Sequence, residues 1–209
     1  MQRILNPPHK QSRPLSTTIG TWPIALSLGL LALILAFVNL SGAPAPWFDE
    51  GSHLHVPKTL ISHGVYADIS SEGFRYFGPT IGVGPTVMLP IAAAFQIFGV
   101  SFLTGRFVIA LYLLLALTLA FILARRLHGT LAAGLSVILL LASRTIGFDG
   151  MVEYGRQVLG EVPGIAFLLL GAISWSKAIT TEDSRRRTLL AALAGLSFGL
   201  ALITKTSSH

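Results

Sequence analysis

The sequence predicts an all-α, polytopic integral membrane protein, and three observations predict it. Only 11% of the 209 residues are charged, less than half the share in a typical soluble domain. The mean hydropathy is +0.70. The apolar residues gather into runs of spanning length, and basic clusters separate the runs. This composition is the reverse of a disordered chain's. It also excludes a soluble nucleic-acid binder, because the +6 net charge is not spread over a basic face of a polar fold. The absence of cysteine excludes structural disulfides, iron–sulfur ligation and thiol catalysis.

Residues 1–18 are polar and basic, with Arg3, Lys10 and Arg13, and read as a cytoplasmic tail. Residues 19–41 form a first transmembrane helix, apolar and uncharged from Ile24 to Leu40. Ala43-Pro44-Ala45 resembles a signal-peptidase site, but the basic lead is long and Pro46 would follow the cut. The helix therefore reads as an anchor. Residues 42–106 form a long outer loop holding Asp49, Glu50, Asp68, Glu72, His53, His55 and His63. Inside it lies the apolar run Val87 to Val100, interrupted by Pro90. A run of about 14 residues suits a half-buried interfacial helix better than a crossing. Residues 107–209 hold four further spans: Phe107 to Ala124, Leu131 to Ile146, Val162 to Trp175 and Leu189 to Thr204.

Charge decides the topology. With Val87 to Val100 at the interface, Arg3, Lys10, Arg13, Arg125, Arg126, Lys177 and Arg185 to Arg187 fall inside. Asp49, Glu50, Asp68, Glu72, Asp149, Glu153 and Glu161 fall outside. A crossing there would invert every later basic cluster. The expected protein has about five spans and keeps its N-terminus in the cytoplasm. The chain stops at His209, directly after a span, so either a piece of a longer protein or a natural truncation is expected.

Two acidic clusters then share the outer face. Asp49-Glu50 follows helix 1 closely. Carboxylates at a membrane surface must be hydrated, paired or metal-bound. Asp49 reads either as an N-cap of the next helix or as a general base at the mouth of a cavity. His53 and His55 add imidazoles to the same stretch, so a divalent metal is a candidate cofactor there, although the spacing matches no zinc signature. Glu161 precedes Val162-Pro163 at the start of a span. It reads as an acid complementing the helix dipole or as a second active-site carboxylate, with Arg156 nearby to neutralise it or hold a phosphate. The glycine-rich Gly78 to Thr86 lacks the Gly-Lys-Ser/Thr ending of a P-loop and reads as a turn. No Gly-x-Ser-x-Gly elbow supports a serine hydrolase.

The order of several short motifs resembles the GT-C glycosyltransferases that use lipid-phosphate sugar donors, in particular the bacterial family 39. That group includes protein mannosyltransferases and the aminoarabinose transferases of lipid A. The motifs are Phe48-Asp49-Glu50 after one span, Gly84-Pro85-Thr86 with Leu89-Pro90, and Ile97 to Ser101 with Gly105-Arg106. Leu159-Gly160-Glu161-Val162-Pro163 and Gly199 to Lys205 complete the series. The resemblance covers nearly the whole chain, which matches only the N-terminal part of such proteins. It implies that Asp49 is the catalytic acid of the first loop and Glu161 the acid of the second, with Glu50 beside them. Many relatives carry Lys-Pro-Pro where this chain has Val83-Gly84-Pro85.

The implied reaction moves a sugar from a polyprenyl phosphate to an acceptor hydroxyl on a lipid, glycan or protein. Asp49 would take the hydroxyl proton. The departing phosphate needs cations, for which Arg75, Arg106, Arg156 and Lys205 are the outward candidates; each can instead be an interfacial anchor. Two other functions remain in view. A transporter component would place Asp49 and Glu161 in an ion path, but no span carries a charge in its middle. A truncated, non-catalytic membrane assembly protein is the other.

Overall fold

The computed structural model describes residues 21–76, 82–143 and 150–205. The basic tail, Asp149, residues 78–81 of the glycine-rich turn and the end of the span expected at 131–146 lie outside the described residues. The elements in chain order are α1 (Thr21–Phe37), α2 (Phe48–His63), β1 (Ala67–Ser70), β2 (Gly73–Tyr76) and α3 (Pro85–Phe98). They continue with α4 (Phe102–Ala142), α5 (Met151–Tyr154), α6 (Glu161–Thr180) and α7 (Ser184–Thr204). Helices α4, α6 and α7 are long and apolar enough to cross a membrane, and α1 and α3 are shorter apolar helices.

Helix α4 contains two of the expected spans. Its backbone leaves helical geometry at Gly129, with φ 84°, where a residue lacking Cβ is unhindered. Leu117 and Val137 line one cavity together with Leu28 and Ala32 of α1. A straight helix would hold positions 117 and 137 about 30 Å apart, so the two arms fold back on each other beside α1. With α4 folded in two, the bundle consists of α1, the two arms, α6 and α7, which agrees with the expected architecture.

The loops that join these helices meet at one end of the bundle. Arg156 binds the carbonyls of Leu35 and Val38, at the C-terminus of α1. The Met151 amide donates to Ser143 Oγ at the end of α4. The Gly84 amide donates to Thr204 O at the end of α7. This end carries Asp49, Glu50, Glu153 and Glu161, while Gly129 and the turn between α6 and α7 lie at the basic opposite end.

Helix α3 begins beside Thr204 and ends just before the N-terminus of α4, so both of its flanks stay at the acidic end. The helix continues through Pro90, which the sequence marks as an interruption. Proline removes the amide that would reach the carbonyl four residues back, here that of Thr86. The hydroxyl of Tyr112 donates to that carbonyl at 2.7 Å, so the missing bond is replaced from α4.

The departure from an all-α chain is a small antiparallel hairpin, β1–β2, in register Asp68 to Arg75. Asp68 pairs with Arg75 across it and with His55 of α2 at 3.3 Å. His63 of α2 packs edge-on against Phe74. Burial pushes the neighbouring Tyr66 phenol up to about 12.

Candidate functional site

Helix α2 opens the site. Its first residue is Phe48, and Trp47 is the N-cap. Glu50 Oε2 reaches back to accept the Trp47 amide at 3.1 Å, which satisfies one of the amides that a helix start leaves open. Asp49 therefore sits in the first turn and is not the cap that its position invited. Its carboxylate is exposed, and Oδ2 accepts from the Trp47 indole at 3.2 Å.

Glu50 has the opposite surroundings. Its side chain is fully buried and forms a two-pronged ion pair with the equally buried Arg106. Arg106 Nε donates to Oε1 at 2.9 Å and Nη2 to Oε2 at 2.6 Å. Oε1 also accepts the Val158 amide at 3.0 Å. The other prong of Arg106 donates to Leu40 O and Pro44 O at 3.0 and 2.8 Å. Arg156 is nearly buried and donates to Leu35 O and Val38 O at 2.8 and 2.6 Å. Its pKa is lowered by burial first, then by the charge of Arg106, against the pull of Glu153. Arg156 thus answers carbonyls at the C-terminal end of α1, and Arg106 those of the segment that follows it. Both guanidinium groups expected to face a phosphate are engaged within the protein, Arg156 by this backbone and Arg106 by Glu50 as well.

A second convergence joins three helix ends. Val83 and Lys205 form an antiparallel bridge. Thr86 and Thr204 share a hydroxyl hydrogen bond of 2.7 Å. A Cβ on Gly84 would lie 1.6 Å from Ile203 O, so only glycine permits the approach. Gly160 lies against Thr204 and Lys205. This brings the part-exposed Lys205 ammonium into an ion pair with Glu161 Oε1 at the start of α6. Glu161 Oε2 is buried and has no hydrogen-bond partner among the described residues. The sequence motifs Gly84-Pro85-Thr86 and Gly199 to Lys205 therefore describe one contact.

The two histidines separate. His53 Nδ1 lies 2.7 Å from Val158 O, and His55 Nδ1 faces Asp68. Arg75, the first loop's other candidate for the phosphate, is held by Asp68 across the hairpin. Among the described residues no group of three or more His, Asp or Glu side chains is placed to hold a metal ion. The expected metal site at His53 and His55 does not fit this geometry, and no step is derived through a metal. Val158, Tyr112 and the Thr86–Thr204 pair are site components that sequence reasoning missed. Only the two threonines, hydroxyls at the edges of apolar runs, left a trace in the sequence.

A helical membrane bundle with an acidic loop end, an interfacial helix and an acid at each of two helix starts has the architecture of the GT-C class. The chain belongs to the dolichyl-phosphate-mannose-protein mannosyltransferase family, whose model matches residues 83–208. Its fold is similar to that in the crystal structure of ArnT from Cupriavidus metallidurans in the apo state. The TM-score is 0.68 at 19% identity, over 88% of this chain and 33% of that one. It is also similar to an uncharacterized protein of Aquifex aeolicus, 29% identical over 175 residues, which are 83% of this chain and 32% of that protein. The chain thus spans about a third of the length of the proteins it matches.

Proposed function

We propose that this chain supplies the acidic outer-face site of a membrane glycosyltransferase that uses a polyprenyl-phosphate-linked sugar. The observation that carries the reading is the division of labour between adjacent acids. Glu50 is enclosed with Arg106, whereas Asp49 is exposed and accepts from the Trp47 indole. Asp49 is the general base: it takes the proton of an acceptor hydroxyl as that oxygen bonds to the anomeric carbon. The bond from that carbon to the phosphate oxygen breaks, and the polyprenyl phosphate leaves as an anion. Lys205 is part-exposed beside Glu161, which makes it the best-placed of the four cations to meet this anion. Glu161 holds Lys205 in place through Oε1. Arg106 and Arg156 shape the site, and Arg75 braces the hairpin.

In this reading residues 1–18 are cytoplasmic, 19–41 cross outward, 42–106 form the outer loop, and 107–209 supply four spans of a bacterial plasma-membrane protein. The acceptor is a lipid, glycan or protein hydroxyl. The test is transfer of label from polyprenyl-phosphate sugars to extracted acceptors in membranes carrying the protein. Transfer above that of membranes lacking it supports the reading, and none with any donor of this class refutes it.

A further inference from the structure

We infer that His53 is a positioning residue for Asp49, acting by locking helix α2 to the loop that leads into α6; the inference deepens the reading of Asp49 as the base and rests on it. The lock is the backbone of Val158, held on both sides of its Cα. Its amide donates to Glu50 Oε1 at 3.0 Å, and its carbonyl, in the following peptide, lies 2.7 Å from His53 Nδ1. A carbonyl oxygen can only accept, so Nδ1 carries the proton and donates. A residue held through one of its two flanking peptides can pivot, while one held through both opens only when both bonds break.

Both holding side chains follow Asp49 within the first turns of α2, and His53 shares its helical face at i,i+4. Val158 is fully buried, and it lies just ahead of Glu161 in the chain. Gly105 admits the approach: a Cβ there would lie 2.6 Å from Leu54 and 3.2 Å from Val158. Clamping Val158 therefore sets the separation between Asp49 on α2 and Glu161 at the start of α6, which pairs with Lys205. Glu50 keeps its place through Arg106 whether or not His53 is present, so His53 is the half of the clamp that can be removed alone.

The test uses side-chain geometry. Asparagine puts an amide nitrogen near the position of Nδ1, and glutamine puts one near that of Nε2. Hydrogen exchange at the Val158 amide is followed in the full chain in lipid nanodiscs. His53→Asn should keep the unsubstituted rate, and His53→Gln and His53→Phe should exchange about tenfold faster, the effect of losing one net hydrogen bond. Equal exchange in the Asn and Gln variants, both slow or both fast, would overturn the clamp. In the transfer assay, kcat should fall in the Gln variant and recover in the Asn variant with KM unchanged. Equal kcat in both would overturn the positioning role. An inactive unsubstituted protein would count against the proposed activity, while the exchange data would still decide the clamp.

Discussion

Glu50 and Arg106, 56 residues apart in sequence, form a two-pronged ion pair with no exposed side-chain surface. The pair joins the start of α2 to the first turns of α4. Through the remaining donors of Arg106 it also holds the segment that follows α1. One contact thus fixes where Asp49 stands relative to the bundle.

Breaking that pair should be expensive. Glu50→Gln leaves a buried guanidinium without its counter-charge, and Arg106→Met leaves a buried carboxylate. Each should cost about 3–5 kcal/mol, the usual penalty for stranding one partner of a buried pair. Thermal unfolding in detergent checks this. A variant that melts with the unsubstituted protein would show that the pair is dispensable.

The charge pattern and the convergence of helix ends predict one topology. The chain has no cysteine of its own, so single cysteines report cleanly. An impermeant maleimide should label the exposed positions 71 and 101 in intact cells and leave position 184 unlabelled until the membrane is opened. Protection of 71 and 101 with labelling of 184 would invert the topology. Opposite accessibility of 71 and 101 would show that α3 crosses.

The contact between α3 and α7 depends on a missing side chain. Gly84→Ala would drive a methyl group to within 1.6 Å of Ile203 O, so α3 and α7 must separate. The Thr86–Thr204 hydrogen bond and the Glu161–Lys205 pair should loosen with them. A disulfide engineered between positions 83 and 205, which form the bridge, reads this out. It should form readily in the parent and slowly in the variant, and equal rates would mean that the contact tolerates a methyl group.

The helices were legible because apolar runs and basic clusters are properties of the chain itself. A reversal between the two arms of α4 was expected from the basic pair Arg125-Arg126, but nothing in the sequence marked Gly129 as its point. Pro90 was misleading for a tertiary reason: the carbonyl it orphans is satisfied by Tyr112, from another helix. The hairpin was missed because its strands are short and β2 is exposed along its whole length, so no alternation marks it. The roles of Asp49 and Glu50 could not be divided from sequence. Two adjacent carboxylates look alike until Arg106 arrives from α4 to enclose one of them. The clamp closes on the backbone N–H and C=O of Val158, which leave no side-chain signature.

The central claim is that Asp49 is the base, and Asp49→Asn tests it most directly. Asparagine keeps the size of the side chain and still accepts from the Trp47 indole, so the fold should survive. Basicity alone is lost. Transfer from a polyprenyl-phosphate sugar, measured at matched expression, should fall by roughly 10²–10⁴-fold. Transfer at the unsubstituted rate would contradict the account and leave Asp49 as a first-turn acid that only complements the helix dipole.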